Sequence, residues 1–288
     1  MADTDPLEGG GAGVDHVIAE VAAEVTASAK YRNIDADFVL ATATDLHRQG
    51  LTRKTAVKEA KRRLHQVYGA FVASTLARTV DQCVAAIDDG SDVKEACRAA
   101  MARHRSTQLR LDSLPDVYDQ IAQWCGRPSS VLDIGCGLNP LAIPWMQLRP
   151  EAHYRACDID GEAVAAIQRL GPAFGVTIEG FVYDAARPQP LQPADLVLAL
   201  LLAPTIDAQR PGATGALLRA VDAPVVVASM PLATLSGRRT YQRDNEALFR
   251  AAADGSRYVV ADQAVVGGEE LVLLRRSEGD APTEFPGR

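Results

Sequence analysis

The spacing of apolar residues divides the chain into two kinds of predicted structure. In the first part, apolar residues recur at steps of three and four, the repeat of one helix face, as at Val14, Val17, Ile18, Val21 and Val25. The same repeat predicts further helices over 35–46, 52–68, 74–88 and 91–103, with Asp35 as the N-cap of the first of these. No strand pattern interrupts them, so we predict an all-α domain over 14–111.

After about residue 112, short β-rich apolar runs alternate with helical stretches. The runs are Val131–Ile134, Tyr154–Ile159, Val176–Val182, Asp195–Leu202, Pro224–Met230, Tyr258–Val266 and Leu271–Leu274. The helical stretches lie near 139–149, 161–170, 212–220 and 241–253. This alternation predicts a parallel sheet with right-handed crossovers, and Gly267-Gly268 predicts a closing hairpin. We therefore predict an α/β, Rossmann-like domain with a mostly parallel seven-stranded sheet over 112–276.

The two ends of the chain carry no such pattern. Residues 1–13 are polar and rich in glycine, which predicts a disordered tail, and 277–288 are predicted to form a flexible tail. No run reaches the roughly 18 apolar residues that a membrane helix needs. The start of the chain also lacks the basic-then-apolar order of a signal peptide. We therefore predict a cytoplasmic protein that has no membrane partner.

Charge is distributed unevenly along the chain. The net charge of −7 argues against a polyanionic partner, but residues 30–111 carry 15 basic and 9 acidic residues, a net +6. Within them, residues 48–78 hold eight basic residues and a single acid, Glu59. A basic helix face of this kind binds phosphates in some proteins and is only solvated in many others. Charge alone leaves both interpretations open.

Cysteine and histidine give no sign of a disulfide framework or a metal site. The five cysteines, an odd number, form no C-x-x-C pair, and the five histidines make no metal-binding cluster. We predict that the protein binds no metal. The cysteines are Cys83, Cys97, Cys125, Cys136 and Cys157.

The most informative segment is Val131–Pro140, in which an apolar strand runs directly into a glycine-rich turn. Gly135 and Gly137 would let the backbone approach a ligand at the end of the first strand, where α/β folds bind nucleotide-like ligands. Pro140 occupies the third glycine position of a dinucleotide fingerprint, and the carboxylate of Asp133 would repel a pyrophosphate. The same carboxylate would attract a ligand that carries an ammonium group. The motif resembles motif I of class I methyltransferases, with S-adenosyl-L-methionine as donor and S-adenosyl-L-homocysteine as product.

Two further acids lie at the ends of the next two predicted strands. Asp158 closes the second strand, where a carboxylate can accept hydrogen bonds from both ribose hydroxyls. Asp184 follows the third strand and is placed to accept from the adenine amino group. Each acid alone is more typical of a helix cap or a turn. Together with the glycine turn, they favour a nucleoside-containing ligand.

Four segments together resemble the aminoglycoside-resistance 16S rRNA (guanine-1405-N7) methyltransferases. They are Ala27–Arg32, Lys61–Val72, His104–Leu111 and Asp133–Ala142. In the last, the continuation Gly-Leu-Asn-Pro-Leu-Ala is much more specific than the glycines, and the order and spacing of the segments also fit the family. The resemblance implies a helical domain that docks on the 30S ribosomal subunit and its 16S rRNA, followed by the methyltransferase domain. We further predict a monomer.

The resemblance also implies roles by position. Arg110 would contact the carboxylate of the donor, and Asp158 and Asp184 would contact its ribose and adenine. The full predicted donor site is His104, Ser106, Thr107, Arg110, Asp133, Gly135, Gly137, Asn139, Asp158, Ile159, Asp184 and Ala185. The predicted RNA-binding residues are Lys30, Arg32, Arg53, Lys54, Lys58, Lys61, Arg62, Arg63, Arg238 and Arg239.

The sequence departs from the family near the expected target pocket. Leu201 stands where the family usually carries a lysine, and Ala233 stands where it usually carries an arginine. Arg238 remains to position the target base. No catalytic base is predicted, because guanine N7 carries a free lone pair and attacks without losing a proton. Reaching N7 in folded RNA would require the base to be flipped out.

Two alternatives remain open at this point. The loss of two basic residues favours a small-molecule methyltransferase on the same fold, whereas the basic helix disfavours it. A non-catalytic ribosome-binding protein that still holds the donor is the second alternative. Incubating 30S subunits with labelled donor, and then locating the label, distinguishes the rRNA methyltransferase from both alternatives.

Overall fold

In a computed structural model of the chain, residues 10–28, 31, 34–68, 76–232 and 245–277 are described. Their helices are α1 Gly10–Thr26, α2 Ala36–Arg48, α3 Arg53–Tyr68, α4 Leu76–Asp88, α5 Val93–Met101, α6 Arg105–Gln108, α7 Leu114–Cys125, α8 Gly161–Ile167, α9 Gly171–Phe174, α10 Ala203–Gln209, α11 Ala213–Ala220 and α12 Asn245–Ala253. Their strands are β1 Ser130–Ile134, β2 His153–Asp158, β3 Thr177–Val182, β4 Leu196–Leu200, β5 Val225–Pro231, β6 Tyr258–Val266 and β7 Glu269–Arg276. Short 3-10 helices span Leu111–Ser113, Asn139–Trp145 and Gln168–Leu170.

The strands form one seven-stranded sheet in the order β3-β2-β1-β4-β5-β7-β6. The first five pair in parallel, and β7 runs antiparallel to both β5 and β6. The predicted fold class and the closing hairpin are confirmed. Because β1 to β5 are parallel, their carboxyl ends share one edge of the sheet, and the start of the reversed strand β7 meets that edge too.

Apolar side chains on both faces of the central strands form the core of the sheet domain. Successive side chains point to opposite faces, so Val131 packs in one apolar cluster and Leu132 in another. In β4, Leu196 and Leu198 join the first cluster and Val197 joins the second. Burial on both faces explains why these strands are continuous apolar runs.

The chain forms two compact units, one made of residues 1–74 with 159–161 and one made of 75–158 with 162–288. In the first unit, α1, α2 and α3 enclose their own apolar core. The predicted cap is present: the Asp35 side chain accepts a hydrogen bond from the Phe38 N–H at 3.0 Å. The Asp35 N–H in turn donates to the Ile159 carbonyl at 3.3 Å. A short segment that follows β2 is therefore part of the helical unit.

The division between the units falls earlier than the predicted domain boundary at 111/112. Helices α4 and α5 belong to the second unit, and Leu76, Val80 and Met101 lie in the same cluster as Val131 of β1. The boundary at 111/112 therefore needs correction. Helical periodicity shows that a segment is a helix with one apolar face, but it does not identify the core against which that face packs.

Some local predictions also need correction. Helices α7 and α10 were not predicted, although each has a proline in its first turn, at Pro115 and Pro204, where proline favours a helix start. The helix expected at 139–149 is a 3-10 helix that ends at Trp145 and contains Pro144.

The predicted tails lie largely outside the described residues. The tail expected over 1–13 is wrong for residues 10–13, because α1 begins at Gly10. Residues 1–9 and 278–288 lie outside the described residues, so the tails predicted there stay predictions. Among the helices that the structure describes, none is long and apolar enough to span a bilayer.

Candidate functional site

The glycine turn after β1 is shaped by two left-handed glycines. Gly135 has a φ of +64°, a conformation that favours glycine, and a Cβ there would lie 2.6 Å from Leu202 Cδ1, so that side chain would have to shift. Gly137 has a φ of +49°, and a Cβ there would meet no atom within 4 Å. The Gly137 N–H donates to Asp158 Oδ2 at 3.0 Å. The turn thus joins β1 to the predicted ribose-binding acid and leaves room for a ligand beside Gly137.

Asp158, the last residue of β2, and Asp184, which follows β3, lie at the same edge of the sheet. Asp158 pairs in register with Val182, two residues before Asp184. Asp184 accepts a hydrogen bond from the Ala186 N–H at 2.9 Å and forms an ion pair with Arg187 at 2.7 Å. These contacts are typical of a turn residue, the other role that the sequence allowed for this acid. Each carboxylate oxygen accepts more than one hydrogen bond, so these contacts are compatible with a ligand. Contact of Asp184 with the adenine of the donor stays a prediction, and so does contact of the buried Ala185 with the donor.

Asp133 lies in a buried polar network instead of on an open surface. Its Oδ2 accepts hydrogen bonds from Asn139 Nδ2 at 3.0 Å and from the Tyr154 hydroxyl at 2.7 Å. The Tyr118 hydroxyl donates to Asn139 Oδ1. Burial raises the pKa of Asp133 to about 6, although these hydrogen bonds and the nearby Arg110 guanidinium oppose the rise. The carboxylate is therefore charged at neutral pH and close to its titration.

Arg110 is the centre of a second part of this network. Its side chain is buried and donates two hydrogen bonds to the Glu269 carboxylate, one of them at 2.9 Å, and a third to Asn139 Oδ1 at 3.1 Å. The Ser229 hydroxyl donates to Glu269 Oε2 at 2.8 Å. Sequence reasoning missed Glu269. The signal was an acid at the start of β7, a strand whose apolar run marks it as buried, because buried acids need a partner.

The turn between α5 and Arg110 is stabilised by its own polar side chains. The Thr107 hydroxyl is buried and donates to the Met101 carbonyl at 2.7 Å and to the His104 carbonyl at 3.0 Å. The Ser106 hydroxyl lies 2.9 Å from His104 Nδ1. Burial lowers the pKa of His104 to about 4, so the ring is neutral at neutral pH. These residues shape the loop that carries Arg110; their contact with the donor stays a prediction.

Ile159 belongs to the other compact unit, where it packs against the apolar core of α1 to α3. The predicted contact of Ile159 with the donor stays a prediction.

The predicted RNA-binding arginines of α3 are held in ion pairs. Glu59 accepts from Arg62 at 2.6 Å and from Arg63 at 3.3 Å, and the hydrogen bond from Arg62 is the main reason that the Glu59 pKa falls to about 2. Arg53 pairs with two glutamates of α1 at 3.4 and 3.1 Å. A phosphate would have to compete with these carboxylates.

The three lysines of α3 differ from its arginines. Lys54, Lys58 and Lys61 recur at steps of four and three, so they share one face of the helix. None of them forms an ion pair with any residue that the structure describes. Within the described part of the chain, they are the Lys and Arg side chains of α3 that have no acidic partner. The other predicted RNA-binding residues lie outside the described residues, namely Lys30, Arg32, Arg238 and Arg239.

Leu201, which replaces the family's lysine, has an unusual backbone conformation. Its φ is +57°, in the left-handed region that side chains rarely adopt. Its N–H donates to the Ser229 hydroxyl at 2.9 Å and to the Ser229 carbonyl at 3.2 Å. Position 201 is therefore a strained turn directly after β4. The second departure, Ala233, lies outside the described residues.

No group of three or more His, Cys, Asp or Glu side chains within the described ranges is arranged to hold a metal ion.

Comparison with known proteins confirms the family resemblance. The family model described as Ribosomal RNA methyltransferase (FmrO) matches residues 27–274. The 16S rRNA (guanine(1405)-N(7))-methyltransferase of Micromonospora olivasterospora is 42% identical over 260 residues, which are 90% of this chain and 89% of that protein.

Two solved structures share the fold over most of the chain. The 16S rRNA methyltransferase RmtF, crystallised in complex with S-adenosyl-L-homocysteine, aligns with a TM-score of 0.76 at 25% identity. The 16S rRNA methylase RmtB aligns with a TM-score of 0.73 at 26% identity. Both alignments cover 90% of this chain and 98% of the other.

Proposed function

Because the chain belongs to the FmrO family of ribosomal RNA methyltransferases, we propose that it methylates guanine N7 in 16S rRNA with S-adenosyl-L-methionine as donor. The observation that carries this proposal is the sheet edge, where the glycine turn lies between Asp158 on one side and the buried Arg110 network on the other. Aminoglycoside resistance follows as the expected consequence, since methylation would change the drug-binding part of the decoding site.

The chemistry of the site fits this donor. S-adenosyl-L-methionine supplies an electrophilic methyl group on a sulfonium and carries a carboxylate, an ammonium, a ribose and an adenine. Arg110 would hold the carboxylate, the charge of Asp133 would favour the ammonium, and Asp158 would accept from the ribose hydroxyls. The open side of Gly137 allows the backbone to approach the ligand closely.

The protein's contribution to methyl transfer would be positioning. The N7 lone pair attacks without loss of a proton, so no general base is required. His104, the histidine of the Arg110 loop, is buried and neutral, which agrees with a structural role there. Aligning N7 with the methyl group in a fixed geometry is the main source of rate enhancement in such a reaction.

The substrate form that suits the helical unit is the 30S subunit. Lys54, Lys58 and Lys61, which have no acidic partner among the described residues, would contact rRNA phosphates, while the paired arginines would contribute less. A ribosomal substrate implies that the protein works in the cytoplasm.

Methyl transfer to 30S subunits tests the proposal directly. The protein is incubated with methyl-labelled donor and 30S subunits, and labelled nucleosides are then mapped. Label at guanine N7 in the decoding site supports the proposal. Label found only in small molecules of a cell extract would replace it with the small-molecule methyltransferase, and 30S binding without any label would replace it with the non-catalytic ribosome-binding protein.

A further inference from the structure

Glu269 is a buried acid at the edge of the sheet that holds the candidate donor site. It is the first residue of β7 and only 1% exposed. Because β7 is antiparallel to β5, Glu269 lies opposite Pro231, the last residue of β5. The start of β7 thus brings a carboxylate to the carboxyl ends of the parallel strands, where α/β folds bind their ligands.

Glu269 fixes the orientation of Arg110. Two guanidinium N–H groups donate to its carboxylate in a bidentate pair, and a third donates to Asn139. A guanidinium has five N–H donors, so two remain without a partner in the described part of the chain. Paired on one side by Glu269, Arg110 can turn only those two donors toward a ligand.

Stability alone does not account for this pair. Replacing a buried ion pair by apolar residues of similar volume is often neutral or stabilising, because taking both charges out of water is costly. A buried Arg110–Glu269 pair within hydrogen-bond reach of the Asp133 network therefore points to a requirement for a fixed cation at this place.

A second branch connects Glu269 to the turn after β4. The Ser229 hydroxyl donates to Glu269 Oε2 and accepts from the Leu201 N–H at 2.9 Å. Leu201 is in the left-handed region, so its conformation persists only while neighbouring groups hold it. Position 201 is also where the family resemblance places the target pocket.

We propose that Glu269 is a positioning residue for methyl transfer, which orients Arg110 toward the carboxylate of the donor and, through Ser229, holds the Leu201 turn beside the target base. This inference rests on the proposed function. Glu269 acts only through Arg110 and Ser229.

Glu269→Gln tests the first branch. Glutamine has a single acceptor oxygen, so one guanidinium N–H would face an amide group and lose its partner. We expect titration calorimetry with S-adenosyl-L-homocysteine to show binding about tenfold weaker, the cost of one hydrogen bond to a charged group. Glu270→Gln is the matched control: it lies next in the same strand, contacts Asn245, and should bind within about twofold of wild type.

Ser229→Ala tests the second branch and separates positioning from folding. It removes the hydroxyl that connects Glu269 to Leu201 and leaves the Arg110–Glu269 pair in place. We expect donor affinity within about threefold of wild type but a kcat on 30S subunits at least about tenfold lower. If Ser229 had only a structural role, its removal would lower the melting temperature and reduce donor affinity and kcat together. Ser229→Ala also tests the proposal if Glu269→Gln does not fold.

A double-mutant cycle checks that Glu269 acts through Arg110. In an Arg110→Gln background, Glu269→Gln should change donor affinity by less than about twofold, because the group it orients is gone. Unchanged donor affinity in Glu269→Gln, or additive losses in the cycle, would overturn the inference. Failure of the wild-type protein to bind S-adenosyl-L-homocysteine would instead overturn the proposed function.

Discussion

At the scale of single residues, Asp133 is the group whose charge is most finely balanced. Burial raises its pKa to about 6, against hydrogen bonds from Tyr154 and Asn139 and the nearby charge of Arg110. The unperturbed value of an aspartate is about 3.9. The folded protein therefore takes up a proton here as the pH falls through 6, well before an ordinary carboxylate would.

Donor affinity should consequently depend on pH. In the proposed site the charged form of Asp133 would favour the donor's ammonium, so binding below pH 6 would release a proton and become weaker as the pH falls. With a pKa of about 6, we expect calorimetric affinity for S-adenosyl-L-homocysteine to fall roughly fourfold between pH 7.5 and pH 5.5. Asp133→Asn should bind with no such dependence. An equally steep decline in that variant would assign the titration to another group.

The sequence predicted the position of Asp133 but not its environment. The glycine turn identified the end of a strand, and the strand-end acids followed from the alternation of strands and helices. Tyr118, Tyr154 and Glu269 come from α7, β2 and β7, which are distant along the chain. Only the order of strands in the sheet brings them together, and local patterns do not specify that order.

At the scale of elements, the packing of β3 on α8 depends on one glycine. A Cβ on Gly180 would lie 2.2 Å from the Val164 carbonyl oxygen, a backbone atom that cannot rotate away. Gly180 is paired in register with Ala156 of β2. The absence of a side chain at Gly180 therefore lets α8 pack directly against β3.

Gly180→Ala should therefore destabilise the protein. Relief of the clash requires β3 and α8 to move apart, and overpacking of this kind costs about 2 kcal/mol. Urea unfolding should show the loss in the free energy of unfolding. Gly268→Ala is the control, since a Cβ there meets nothing within 4 Å. Equal stability of the two variants would mean that the contact relaxes without cost.

The elements themselves were largely predictable, but their grouping was not. All seven strands and the helices α1 to α5 follow from apolar periodicity, because burial of one face or both leaves a regular pattern. The pattern of α4 and α5 did not reveal that they pack on the sheet domain. The short helix α10 begins directly after the predicted run Asp195–Leu202 and was not predicted, because seven residues give too little periodicity.

At the scale of the whole molecule, net charge and local charge point in opposite directions. The protein carries −7 overall, which repels a ribosome at long range, yet α3 presents Lys54, Lys58 and Lys61 without acidic partners among the described residues. Salt screens the first effect over about a Debye length. The proposed short-range contacts with phosphate would release counterions, and that release would govern how binding depends on salt.

The salt dependence of 30S binding should distinguish the lysines from the arginines of α3. Each phosphate contact contributes roughly 0.7 to 0.9 to the slope of log affinity against log salt. We expect the slope to become shallower by about two when Lys54, Lys58 and Lys61 are all changed to Gln. Arg62→Gln should change it by less than about half a unit, because Glu59 already neutralises that guanidinium. Filter-binding assays at salt concentrations from low to moderate measure the slope for each variant. If the slope of the triple variant matches that of the wild type, the lysine face does not contact phosphate.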